Sequence, residues 1–298
     1  MRVRLIEVPY HMGMEGVGMG GGPIRLLEDG AARPVREAGA TVRVTRVRLG
    51  RRPTDTLSAL ADVNARLARQ VAAAVRDGAF PLVLAGNCNS CLGTITGLFP
   101  ARVGLVWLDA HGDFHTPETS RTGFLDGMPL AIAAGHCHAA LWRRIGRHRP
   151  VPEEWIMHIG ARVLGAQRMR FARSQVCLIP ARTVRAQGVR RAILPYLQQL
   201  RARVDQVYLH LDIDVLDPSE APGVDFRTPH GLTADEVQQV VRAVGRLFRI
   251  RAANLTAFNP SRDEGDKTVK AALRLIKAVT NAAASGRRGG SLVSSGHP

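Results

Sequence analysis

Long apolar runs are missing from this chain. No stretch of about 18 apolar residues occurs, which excludes a membrane-spanning helix. The segment Met1–Val8 lacks the apolar core and cleavage site of a secretory leader, so a cytoplasmic protein is expected. Cysteine is scarce. Cys88, Cys91, Cys137 and Cys177 are too few and too scattered for a disulfide framework in 298 residues. Cys88-Asn89-Ser90-Cys91 has the spacing of a redox pair but not the position near the N-terminus, and no second pair completes a zinc site. Aromatic residues are 5% of the chain, so the net charge of +16 has no stripe of aromatic-interleaved basic residues behind it. The charge is nearly all Arg, spread along the chain. With abundant Ala and Gly it reads as the coding bias of a GC-rich genome. Nucleic acid and membrane are therefore not expected partners, and a basic nucleic-acid-binding protein is the weakest of three readings.

What is present is an alternation of apolar and amphipathic segments. A hydrophobic content of 45% over 298 residues is enough for a sizeable core. Strands are expected at Val3–Val8, Ala40–Val47, Phe80–Leu84, Val103–Leu108, Trp155–Ile159, Gln175–Ile179, Gln206–Leu211 and Ile250–Thr256. Helices are expected at Pro23–Glu37, Thr56–Asp77, Ser90–Leu98, Met128–Ala134, Val189–Leu200, Thr233–Leu247 and Lys267–Ala284. Thr233-Ala-Asp-Glu236 is a capping box that opens one of them. Runs such as Val103–Leu108 and Val207–Leu211 are apolar throughout, so those strands are covered on both faces. The pattern gives an α/β fold with a parallel sheet between helical layers, in a single domain over residues 1–284. Ser285–Pro298, rich in Gly, Ser and Arg, is expected to be a disordered tail. Gly13–Gly22 lacks phosphate-binding spacing and reads as a loop near the site.

Parallel sheets bind ligands at the carboxyl ends of their strands. Three such ends carry polar clusters: Gly86-Asn-Cys-Asn-Ser90, Asp109-Ala-His111-Gly-Asp113, and Asp212-Ile-Asp214-Val-Leu-Asp217-Pro218. Carboxylates gathered at two strand ends repel one another, and burying them is costly unless cations compensate. Asp and His donors without thiolate suit Mn²⁺, Fe²⁺ or Co²⁺. Two carboxylates shared by a pair of such ions, roughly 3.5–4 Å apart, would activate water. Asp217, before Pro218, is better explained as a turn residue.

Asp109-Ala-His111-Gly-Asp113 together with Leu211-Asp212-Ile-Asp214-Val-Leu-Asp217-Pro218 resembles the arginase/ureohydrolase family. The order along the chain, from the glycine-rich loop to Asn259-Pro260, is similar as well. The resemblance implies a three-layer fold around an eight-stranded parallel sheet, two Mn²⁺ ions, and hydrolysis of a guanidino or amidino C–N bond in a small molecule. It implies that Asp109 and Asp212 bridge both metals, that Asp113 binds the first, and that His111 and Asp214 bind the second. Members of the family are often trimers or hexamers, so a homo-oligomer is implied, although no interface signature is legible.

The chain also departs from the family pattern. The family's first-metal His falls in the Gly86–Ser90 segment, where Asn89 is taken as its counterpart, a weaker ligand or one replaced by water. Thiolate ligation by Cys88 or Cys91 is the alternative, with Cys91 turned away by the helix that starts here. Asp126 stands where the family has a proton-shuttle His. His115 and Thr122 stand at substrate-binding positions, and Ala257 replaces a Glu that grips the guanidinium. Glu118 or Asp126 is a candidate to restore that charge. Around His111–Thr119 the chain resembles the branch of N-omega-hydroxy-arginine amidinohydrolases. Two readings result: a binuclear manganese hydrolase of a linear amidine or guanidine other than L-arginine, and a catalytically impaired member that binds metal or a small molecule.

Overall fold

A computed structural model describes residues 1–50 and 55–289. Eight parallel strands form one sheet: β1 (Arg2–Val8), β2 (Thr41–Arg46), β3 (Phe80–Ala85), β4 (Gly104–Leu108), β5 (Ile156–Ile159), β6 (Cys177–Ile179), β7 (Gln206–Asp212) and β8 (Arg249–Thr256). Their spatial order is β2-β1-β3-β8-β7-β4-β5-β6. All eight expected strands are present. β3 and β4 are buried at every residue, as their unbroken apolar runs require.

Helices cover both faces of the sheet. One apolar layer joins Leu5, Leu82, Leu108 and Leu209 to the helices at Ala234–Leu247 and Lys267–Gly289. The other joins Ile6, Val83, Leu105 and Trp107 to the helices at Thr56–Arg76 and Ser90–Leu98. Each face thus removes large apolar side chains from water, at roughly 1.5–3 kcal/mol for each fully buried one. The Thr233 capping box forms as expected, with Glu236 closing it.

Three differences from the sequence reading have local causes. The helix expected over Pro23–Glu37 is two helices, Gly21–Glu28 and Ala32–Glu37, because Gly30 takes φ +85° between them. The short helices Ala139–Ile145, Arg168–Arg173 and Ala181–Gln187 have too few turns to show a period. The last helix runs to Gly289, so residues 285–289 of the expected tail are helical, and residues 290–298 lie outside the described residues. No described helix is long and apolar enough to cross a membrane.

Candidate metal centre

β3, β4, β7 and β8 end beside one another and deliver the polar clusters to a single cavity of about 230 Å³. Asp109 follows β4, and Asp212 closes β7. Cys88 lies just beyond β3, on the tight connection from Ala85 to the helix at Ser90. Gly86 makes that connection feasible, because a Cβ there would stand 2.3 Å from the Tyr10 carbonyl oxygen.

Two overlapping groups of donors result. Ligand atoms of Cys88, Asp109 and Asp212 all lie within 4.8 Å of one another, and so do those of Asp109, His111 and Asp214. Backbone amides fix the carboxylates. His111 N–H donates to Asp109 Oδ1 at 2.6 Å, Ala110 N–H to Asp214 Oδ1 at 3.0 Å, and Asp214 N–H to Asp212 Oδ1 at 2.8 Å. Trp107 Nε1–H donates to Asp109 Oδ2 at 3.2 Å, and its ring stacks on His210 at 3.6 Å. Each aspartate is aimed by a donor that binds the ionised form, as metal ligands are in general.

The electrostatics of the two groups differ. His111 Nδ1 lies 2.8 Å from Asp214 Oδ2 and 3.5 Å from Asp109 Oδ1. Burial opposes protonation of His111, but Asp214 and Asp109 outweigh it and push its pKa up to about 12. Burial likewise opposes ionisation of Asp214, yet His111 holds it down to about 2. This group is balanced by its own proton. Asp113, Asp212 and Cys88 have no such partner. Burial, followed by neighbouring carboxylates, raises all three well above their ordinary values. Asp109 is raised to about 6, by burial and then by Asp214. Asp113 Oδ2 is buried with no hydrogen-bond partner among the described residues, and Asp113 itself sits at φ +51°. Two like charges about 4 Å apart repel by roughly 4 kcal/mol at an effective dielectric of about 20. A cluster so arranged is completed by cations.

The comparisons agree with the chemistry. The family model described as Arginase family matches residues 1–281. The chain belongs to the arginase family. An arginase of Bacillus caldovelox is 37% identical over 227 residues, covering 75% of this chain and 76% of its own. An arginase of Brevibacillus brevis is 30% identical over 287 residues, covering 92% and 96%. The native crystal structure of the Bacillus caldovelox arginase superposes with a TM-score of 0.85 at 31% identity, covering 94% of this chain and 98% of that one. The strand ends of this arginase-family sheet therefore carry the aspartate pattern together with the fold.

Several expectations change in detail. Cys88 lines the cavity and Asn89 does not: the Cys88 thiol donates to Asp212 Oδ2 at 2.8 Å and lies 3.2 Å from Thr256 Oγ1. The turn after β3 brings the side chain at 88 to the site, and Asn89 instead gives its backbone N–H to Asp126 Oδ1 at 2.9 Å. Cys91 is fully buried, with its Sγ 4.0 Å from the Pro129 carbonyl oxygen. Asp126 lines the cavity, but Asn87 Nδ2 at 2.5 Å holds its second oxygen. It therefore ties down the loop that carries Cys88. Burial raises its pKa to about 7 against those hydrogen bonds.

His115 lines the cavity, with Nδ1 3.1 Å from Thr119 Oγ1. Thr122 and Glu118 are exposed and are absent from the lining, because residues 117–123 run over the surface. Asp217 is a turn residue as expected, accepting from Ser219 N–H at 3.0 Å and Gly231 N–H at 2.9 Å. The glycine-rich loop does lie near the site, through Met19.

Residues that sequence reasoning missed include Asp225, Phe226 and Arg162. Arg162 donates to the carbonyls of Asp214 at 2.7 Å and Leu216 at 3.0 Å, clamping the turn that presents Asp214. Cys88, read in the sequence only as the alternative to Asn89, lies on the connection that follows β3.

Proposed function

We propose that the protein is a binuclear manganese-dependent hydrolase that cleaves a C–N bond in a linear amidine or guanidine other than L-arginine. The observation that carries this reading is the convergence of Cys88, Asp109 and Asp212 with Asp109, His111 and Asp214 in one cavity. The donors fit a divalent pair. Asp109, His111, Asp212 and Asp214 offer the second ion a complete set of hard and imidazole donors. Asp109, Asp212, Asp113 and Cys88 face the first. There the unpartnered Asp113 oxygen asks for positive charge, and the thiol favours a softer metal than Mn²⁺. The first site is accordingly the weaker one for manganese. When bound, such ions supply Lewis acidity and activate water.

The chain's own groups do the rest. Asp109 and Asp212, held by backbone amides, keep the donors at fixed positions and need no reorganisation. Asp126, with a pKa of about 7, can hold a proton near neutrality and pass it to the departing amine. Ala257 takes the place where the resemblance puts a guanidinium-binding Glu, so the site lacks the strongest recognition of an arginine head group at that position. Four free cysteines support a reducing, cytoplasmic location, and the family resemblance supports a homo-oligomer.

The test is metal content after Mn²⁺ loading and dialysis, together with release of urea or ammonia across a guanidine and amidine panel. The expected outcome is bound metal and turnover of at least one non-arginine compound, both lost in Asp109→Ala. Failure to bind metal under saturating Mn²⁺ would overturn it. The second reading, a member that binds without turning over, draws support from Asp126, whose two oxygens are both engaged. Full metal occupancy with no turnover across the panel would favour it.

A further inference from the structure

The cavity above the aspartates is unlike a pocket for a zwitterion. Its outer wall is made by Phe124, Val163, Leu164, Val224 and Phe226, and no Lys or Arg among the described residues lines it. Phe226 is 55% exposed, a state that costs free energy for a large aromatic ring unless something covers it. It stands edge-on to His111 at 5.8 Å and lies 6.3 Å from Phe124, so the rings flank the approach to the metal cluster.

Two polar atoms of the wall are already engaged. Gln167 Oε1 accepts the Phe114 N–H at 2.6 Å, and His115 Nδ1 faces Thr119. The wall holds one carboxylate, Asp225. Its Oδ1 accepts from Asn259 Nδ2 at 2.6 Å and forms an ion pair with Arg262 Nε at 2.8 Å, which fixes it beside Phe226. A cation is welcome in this cavity. A second, negatively charged end finds no counter-charge, and desolvating it among these side chains would be costly.

We infer that the compound bound here is a monosubstituted guanidine or amidine whose substituent is uncharged and apolar, an alkyl or aryl group seated between Phe124 and Phe226, with Asp225 facing the cationic head. The volume of about 230 Å³ limits it to a compact molecule, below the ~300–1,000 Å³ of drug-sized sites. This inference rests on the hydrolase reading for turnover but not for binding.

The experiment uses the Mn²⁺-loaded full chain with guanidine, butylguanidine, benzylguanidine, agmatine and L-arginine, read both by urea release and by calorimetric binding. Benzylguanidine or butylguanidine should surpass arginine by at least tenfold in kcat/KM or in Kd. Phe226→Ala, an exposed change with little consequence for folding, should lower the preference for benzylguanidine over guanidine by about tenfold. Absence of urea from every compound on the metal-loaded protein fails the hydrolase reading, and the calorimetric order then decides the inference alone. Arginine or agmatine binding more tightly, binding of none of the five, or a Phe226→Ala preference equal to that of the wild type would overturn it.

Discussion

At the floor of the cavity stand Asp109, Asp113, Asp126, Asp212 and Asp214 with His111, whereas its outer wall offers Phe124, Val163, Leu164, Phe226 and a single carboxylate, Asp225. Asp109, Asp212 and Asp214 lie at the ends of strands in the middle of the sheet, where backbone amides aim their carboxylates. The wall is built by connecting segments around residues 115–124, 163–167 and 224–226, which owe nothing to the sheet register. The floor gathers the aspartates and the histidine, while the wall is mostly apolar. The difference teaches that the chemistry of a site and the choice of substrate are set by separate parts of the chain, and can change separately.

The sharpest way to break this division is at the floor. Asp212→Ala should reduce turnover by roughly 10³-fold or more, equivalent to about 4 kcal/mol in the barrier, with loss of bound metal on dialysis. A variant that kept both metal and activity would contradict the shared role of Asp212. Next comes the boundary between floor and wall. Asp126→Asn leaves an oxygen to accept the Asn89 N–H but removes the titrating carboxyl. We expect kcat at pH 7 to fall about 10²-fold with metal content retained, and the limb of the pH profile near 7 to disappear. An unchanged profile would reduce Asp126 to a loop anchor.

Two smaller effects compare the halves of the floor itself. Cys88→His should tighten Mn²⁺ at the first site by about tenfold, near 1.4 kcal/mol, by exchanging a soft donor for imidazole. In the Co²⁺-loaded protein, a sulfur-to-cobalt band in the near ultraviolet should be present and should vanish in Cys88→Ser. The smallest effect is thermal. Asp109 is raised from 3.8 to about 6, so its contribution to stability is full below pH 3.8 and is lost as the pH rises through 6. His111, raised from 6.5 to about 12, adds a loss that begins above pH 6.5. Both run the same way in the metal-free chain, and bound cations offset both. The melting temperature of Mn²⁺-loaded protein minus that of chelated protein should therefore widen by a few degrees from pH 5 to pH 8. A constant or narrowing gap would mean that the aspartates are not the sites of binding.

Much of the fold was legible because its strands are apolar throughout and its longer helices are capped or periodic. β3, β4 and β7 end where their polar clusters begin, so the floor could be read from Asp109, His111, Asp113, Asp212 and Asp214. The sequence leaves Asn89 and Cys88 as neighbouring candidates, and Cys88 is the one that lines the cavity. In a tight turn, one residue decides which side chain faces the cavity, and only the backbone path past Gly86 settles it. The wall was largely illegible. Thr122 and Glu118 lie near the motif in sequence but on the surface in space, while Asp225 and Phe226 lie over 100 residues away from His111 and beside it. Sequence distance carries no information about loops that meet over a strand end.

The central claim is that this floor holds two divalent ions, one of them against Cys88. An anomalous-difference map from crystals grown with Mn²⁺ or Co²⁺ tests it most directly. The account predicts two peaks, one beside His111 and Asp214 and a second, weaker for Mn²⁺ than for Co²⁺, beside Cys88 and Asp113. A single peak at His111, with the Cys88 thiol still bonded to Asp212, would contradict it.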